Sequence, residues 1–124
     1  MKITRFEDIE AWQEARKLVK MIHEVIRKSP ELKGDFRLVN QIQDAADSSM
    51  SNIAEGFARK GNKEFIQFLF ISKSSAAEVQ SHLYVALDRV YICQADFDAI
   101  YNQAEIVSKL DSGFIKYLMS SRVP

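Results

Sequence analysis

Apolar residues recur along this chain at spacings of three and four, and nowhere alternate with period two for long. That rhythm puts one side of a helix in contact with a core and predicts helices rather than strands. The first segment carries Ile9, Trp12, Ala15, Leu18, Ile22, Val25 and Ile26 on one face. The second carries Leu38, Ile42, Ala45, Ala46, Ser49, Ile53 and Phe57. The third has the cleanest series, Phe65, Leu69, Ser72, Ala76, Val79, Leu83, Ala86 and Val90. The fourth has Phe97, Ile100, Ala104, Val107, Phe114 and Leu118. Four stripes of this kind close one shared core at shallow crossing angles. The small residues Ala45, Ser49, Ser72 and Ala76 let the second and third helices approach closely.

Punctuation agrees with the periodicity. Ser29-Pro30 stops the first pattern, Gly34 precedes Asp35 as a candidate N-cap, Gly61-Asn62 reads as a C-cap followed by an N-cap, and Asp96 is a candidate N-cap for the last helix. The helices are predicted near 8–28, 35–60, 63–92 and 96–120. Short connections imply antiparallel neighbours. The fold class is therefore all-α: an antiparallel up-and-down four-helix bundle, with residues 1–124 forming a single domain.

The third helix carries a second apolar stripe, Ile66, Phe70, Ala77, Tyr84 and Tyr91, whose mean direction lies about 100 degrees from the core stripe. Ile71, Val85 and Ile92 add apolar area further round. A helix apolar over most of its circumference needs burial on more than one side, and large exposed apolar patches are uncommon on monomers. This stripe is the candidate interface of a homo-oligomer.

Charge changes the picture little. Lys and Arg number 17 and Asp and Glu number 17, a net charge of zero, whereas a dedicated nucleic-acid binder is usually basic. Cys93 is the single cysteine, which excludes an intramolecular disulfide and reads as a small buried hydrophobe. Met1 to Phe6 lack the apolar run of a signal peptide, and no stretch reaches the ~18 apolar residues of a membrane span. A reducing cytoplasm and no membrane association are expected.

The spacings that carry chemistry are missing. Carboxylate-bridged metal bundles need Glu-x-x-His pairs; Glu78 and His82 are four apart and read as an ordinary helix-face pair. Neither metal nor cofactor is expected. Ser48, Ser49 and Ser51 have no nearby His, Cys93 has no adjacent His or basic pair, and Gly56 and Gly61 alone do not make a phosphate loop. No catalytic residue can be nominated, and the chain reads as a non-enzyme.

Two polar sets remain. Gln41, Ser48, Asn52, Glu55 and Arg59 line one edge of the second helix's apolar face. They suit an inter-helix or inter-subunit hydrogen-bond network better than a ligand pocket, since groups at a core margin need partners. Arg16, Lys20, His23 and Arg27 share the outer face of the first helix, and Arg59, Lys60 and Lys63 surround the Gly61-Asn62 turn. Either basic set is a solvated face or a candidate anion or nucleic-acid contact.

Gln41-Ile42 with Ala45-Ala46, then Asn52-Ile53-Ala54-Glu55-Gly56, Arg59, Glu64-Phe65 and Phe68-Leu69, form a recognisable series. Phe6-Glu7-Asp8-Ile9, Trp12-Gln13 and Ala15 extend it. The series resembles the bacterial four-helix-bundle family that includes proteins encoded by intervening sequences within 23S ribosomal RNA genes. It is similar also to the accessory variability proteins of diversity-generating retroelements. The resemblance implies a bundle assembled as a ring, typically a homopentamer. It also implies a non-enzymatic role near RNA, a reverse transcriptase or another nucleic-acid machine. Where that family often has paired arginines after Gln-Ile, this chain has Gln43-Asp44, which removes two positive charges per subunit; Ser74-Ser75 replace the usual Gly-Ser. Three functions stay open: an oligomeric scaffold docking a protein or nucleoprotein partner, a weak and sequence-independent RNA- or DNA-binding ring, and a small-molecule-binding bundle.

Overall fold

The computed structural model describes residues 3–120. A 3-10 turn at Phe6–Asp8 leads into α1 (Glu10–Lys28), a short α2 (Pro30–Gly34), α3 (Phe36–Phe57), α4 (Asn62–Asp88) and α5 (Gln94–Ser120). The four long helices form the bundle. Helix α1 packs against α3 and α5, and α4 closes the square against the same two. Contacts between opposite ends fix the antiparallel sense: Lys28 at the end of α1 pairs with Asp96 at the start of α5, and Asn62 at the start of α4 donates to the Leu118 carbonyl near the end of α5.

The four apolar stripes meet as the periodicity predicts. Leu18, Ile22, Ile42, Ile53, Leu69, Val79, Leu83 and Val107 are among the most completely enclosed side chains. The small-residue seam of α3 and α4 is also buried, with Ala45, Ala46, Ser49, Ser72 and Ala76 all in the core. Trp12, Phe57 and Phe114 sit at its margin, half-buried.

The ends of the helices differ from the sequence reading in ways that have local causes. Ser29-Pro30 does end α1, yet Pro30 also opens α2: a proline fits the first turn, where its missing N–H is not needed. Ser29 Oγ accepts from the Leu32 N–H at 3.2 Å and donates to the Tyr91 carbonyl at 2.8 Å, tying this corner to the end of α4. Asp35 caps α3 as predicted, its Oδ1 accepting from the Leu38 N–H at 3.2 Å. Asn62 is not a cap. It is the first residue of α4, and Gly61, with φ of 89°, precedes it. Asp96 lies inside α5, which begins at Gln94.

Helix α4 stops at Asp88, short of the predicted 92. The Tyr91 N–H bonds the Ala86 carbonyl and the Val90 N–H bonds the Leu87 carbonyl, both at 2.9 Å, which is the Schellman pattern of helix termination. Val90 takes the left-handed position with φ of 61°. Glycine normally sits there, so the sequence carries no stop signal, and Val90, assigned above to the core stripe, is instead 83% exposed.

Candidate functional site

The outward row on α4 is formed by Phe70, Ala77 and Tyr84, all exposed, with Ile66 half-buried beside it. Phe70 is 47% and Tyr84 51% exposed, large fractions for aromatic side chains. Phe70 borders a shallow recess with Lys73, Ile115 and Met119, so the surface continues onto α5. At the other end, Tyr84 lies 4.9 Å from Phe97 and 5.9 Å from Tyr101 between ring centroids, an aromatic ledge shared by α4 and α5. Tyr91 is not part of this surface. It lies beyond the end of α4, and its hydroxyl donates to Asp35 Oδ2 at 3.0 Å.

The polar set on α3 does not converge. Ser48 and Asn52 come together, Asn52 Nδ2 donating to the Ser48 carbonyl at 2.8 Å and to Ser48 Oγ at 3.0 Å, and Ser48 Oγ meets Ser75 Oγ at 2.9 Å. This is an inter-helix bridge to α4. Glu55 and Arg59 pair with each other at 3.4 Å on the surface, and the Arg59 guanidinium lies 5.0 Å from the centre of the Phe68 ring. Gln41 stands apart, in a surface groove with Arg37, His82 and Arg89. The five residues read as one edge thus divide into two separate contacts and an isolated Gln41.

The basic residues are exposed. Arg16 lies 6.0 Å from the Trp12 ring, Arg27 pairs with Glu24, and Lys20 projects from the outer side of α1 together with His23. Around the turn before α4, Arg59, Lys60 and Lys63 are exposed, and among the described residues neither Lys60 nor Lys63 has an ion-pair partner. Beside them an open cleft of about 510 Å³ is bordered by Phe57, Arg59, Phe65, Phe114 and Tyr117.

His82 and Glu78 make the i,i+4 contact at 3.3 Å, and among the described residues no three His, Cys, Asp or Glu side chains gather as metal ligands. Cys93 is exposed rather than buried, because it falls in the turn between α4 and α5. Among the described residues no helix is long and apolar enough to cross a membrane.

One polar cluster escaped the sequence reading. Asp111 of α5 is completely buried, with Ser49 and Ser72, in the middle of the core. Ser72 Oγ lies 2.6 Å from Asp111 Oδ2, 2.7 Å from the Ser49 carbonyl oxygen and 3.2 Å from Ser49 Oγ. Asp111 Oδ1 has no partner among the described residues. Burial pushes this carboxyl up to about 7, against the smaller lowering effects of the Ser72 hydrogen bond and the Lys73 charge. The signal was its spacing: Ala104, Val107, Asp111, Ile115 and Leu118 follow at four- and three-residue steps, and the aspartate occupies a core position. Gln103 is likewise buried at the α1–α5 contact, its Nε2 donating to the Glu14 carbonyl and to Glu14 Oε1 at 2.9 Å each.

Residues 7–113 match the family model described as 23S rRNA-intervening sequence protein, as the Asn52-Ile53-Ala54-Glu55-Gly56 segment suggested. Among solved structures, a protein of unknown function from the S23 ribosomal protein family of Bacteroides thetaiotaomicron is similar with a TM-score of 0.71. It is 23% identical, and the alignment covers 86% of this chain and 94% of that one. At that identity the likeness concerns the fold. No curated protein matches.

Proposed function

Because the chain belongs to the 23S rRNA-intervening sequence protein family, we propose that it is a non-enzymatic, self-associating bundle. It serves as a scaffold on which a protein or nucleoprotein partner docks. The observation that carries this reading is the outward row Phe70, Ala77 and Tyr84 on α4, continued onto α5 by Met119 and Tyr101. Scattered exposed apolar residues are normal on a monomer; large ones repeated along one helix face suit an interface. A ring of copies, five in the family resemblance, repeats the partner-binding surface around one axis.

Light scattering coupled to size exclusion tests this directly. The expected mass is several times 14.2 kDa. Phe70→Glu and Tyr84→Glu should each shift the mass toward the monomer with helicity kept, because buried interface aromatics often contribute about 2 kcal/mol or more. A monomer at micromolar concentration, or an unchanged mass in both variants, refutes the interface.

A second reading, sequence-independent RNA or DNA binding by the ring, is favoured by one observation: the exposed Lys60 and Lys63 beside Arg59. Each copy adds a modest patch, and assembly multiplies it. Fluorescence anisotropy at about 50 and 200 mM salt decides, since phosphate-dominated affinity falls by orders of magnitude over that range. An absence of binding at the lower salt leaves the scaffold alone.

A further inference from the structure

Asp111 is the only charged-type side chain buried in the core among the described residues, and it takes no part in the exposed row on α4. Its surroundings allow a proton count. A serine hydroxyl holds one hydrogen. Ser72 Oγ has two close oxygen neighbours, Asp111 Oδ2 at 2.6 Å and the Ser49 carbonyl at 2.7 Å. If Asp111 were ionised, both neighbours would be acceptors competing for that single hydrogen. One pair of oxygens would then face each other, lone pair to lone pair, at a distance that only a hydrogen bond sustains. If the carboxyl is protonated, the conflict disappears. Asp111 Oδ2–H donates to Ser72 Oγ, the Ser72 hydroxyl donates to the Ser49 carbonyl, and the Ser49 hydroxyl has the remaining Ser72 lone pair within 3.2 Å. The unpartnered Oδ1 supports the same assignment, since an ionised oxygen without a donor is far costlier to bury than a neutral carbonyl oxygen.

We propose that Asp111 is held as the neutral acid and acts as a proton-dependent latch joining α5 to the α3–α4 seam. Loss of the proton removes the donor to Ser72, places a charge in an apolar core, and loosens the middle of α5. The charged groups around it do little to soften that change. On α4, Lys73 is the one whose charge reaches Asp111. On α3, Asp44 and Asp47 are exposed; on α1, Glu10 is exposed and Glu14 is engaged by Gln103. Asp8, in the turn before α1, accepts from Thr4, and Lys109 and Lys116 of α5 point to solvent.

The pH window follows from the two protonation equilibria. The carboxyl has a folded-state pKa of about 7, raised by burial from an ordinary 3.8. Its stabilising contribution is complete below the ordinary value and is lost as pH rises toward the folded value, by up to about tenfold in the folding constant per pH unit. Above the folded value the loss is complete and the dependence levels off.

Three measurements on the full chain test the latch. Carboxyl carbon NMR should give a midpoint for Asp111 near 7, as burial requires. Urea unfolding of wild type and Asp111→Asn should diverge as pH rises. The amide is neutral at every pH and can donate to Ser72, so the ratio of folding constants should move in its favour by up to about tenfold per unit before levelling. Hydrogen exchange in the middle of α5 should be faster in wild type than in the Asn variant only on the alkaline side. A carboxyl midpoint in the ordinary aspartate range, or parallel stability profiles for the two proteins, overturns the proposal. The NMR titration needs no variant and decides the matter even if Asp111→Asn fails to fold. Ser72→Ala distinguishes the hydroxyl's two orientations. The midpoint falls if Ser72 accepts from the acid; a rise would mean that it donates to a carboxylate, and would also overturn the latch.

Discussion

Replacing Gly56 with alanine sets two effects of known size against each other. Gly56 is helical and buried, near the end of α3. In a helix interior, alanine is better than glycine by about 1 kcal/mol, so propensity alone predicts stabilisation. Packing predicts the opposite. A Cβ at position 56 would stand 2.7 Å from Phe68 Cβ and 2.8 Å from Phe65 Cδ1. Phe68 Cβ is fixed to the α4 backbone and cannot rotate away. Phe65 is held edge-on between Phe57 and Phe114, at 6.2 and 5.1 Å between centroids. Relief therefore requires α4 to move away from α3 beside the short turn that joins them, or the aromatic pairs to be broken. Overpacking of this kind costs about 1–3 kcal/mol, and each aromatic pair lost adds about 0.5–1.5 kcal/mol. With one aromatic pair lost, packing outweighs propensity, and Gly56→Ala should destabilise the bundle by about 0.5–3.5 kcal/mol net. Urea unfolding should show a lower midpoint with an unchanged slope, and the melting temperature should fall by about 2–10 °C. Gly113→Ala is the control. It is also helical, but nothing lies within 4 Å of its added Cβ, so the same chemical change should stabilise by about 0.5–1 kcal/mol. If Gly56→Ala is as stable as wild type while Gly113→Ala gains, the α3–α4 contact is not rigid and the packing account is wrong.

Val90→Gly should stabilise by about 0.5–1 kcal/mol in thermal or urea unfolding, because a left-handed conformation costs a β-branched residue about 1–2 kcal/mol and glycine's extra chain entropy returns only part of it. No gain, or a loss, would mean that Val90 makes a contact its 83% exposure does not suggest. The Asp35 carboxyl is held below its ordinary 3.8 by the Leu38 N–H, then by the Tyr91 hydroxyl and Arg89. Its contribution is therefore present above that value and lost as pH falls, so Asp35→Ala should be less stable than wild type at neutral pH, with a gap that narrows in acid-side denaturant titrations.

Much of the architecture was legible because its signals are local and redundant. Four stripes, a serine-proline break, an aspartate cap and two glycines near turns all specify the same four helices. The small residues of α3 and α4 even indicated which pair packs most closely. What escaped was structure without a characteristic residue type. Val90 continues the helical repeat and is β-branched, so nothing in its chemistry marks the left-handed turn that the Ala86 and Leu87 carbonyls impose. Helix α2 was hidden because Pro30 signals both the end of one helix and the start of another. Gly56 falls inside the predicted second helix, and nothing in the sequence marked it as the point where α4 approaches α3.

The candidate site was legible only in part, for a related reason. Periodicity reports which side of a helix is apolar; it does not say what covers it. The same period that placed Phe70, Ala77 and Tyr84 in a row also enrolled Tyr91, although the helix has ended before it and its hydroxyl serves Asp35. The opposite error hid Asp111, whose charge suggests solvent while its spacing places it among Ala104, Val107 and Leu118. The two cases weigh type against position, and position wins in both. An aromatic residue can face outward when its register demands it, and a carboxyl can be buried when its register demands it, provided that a proton and a serine hydroxyl accompany it.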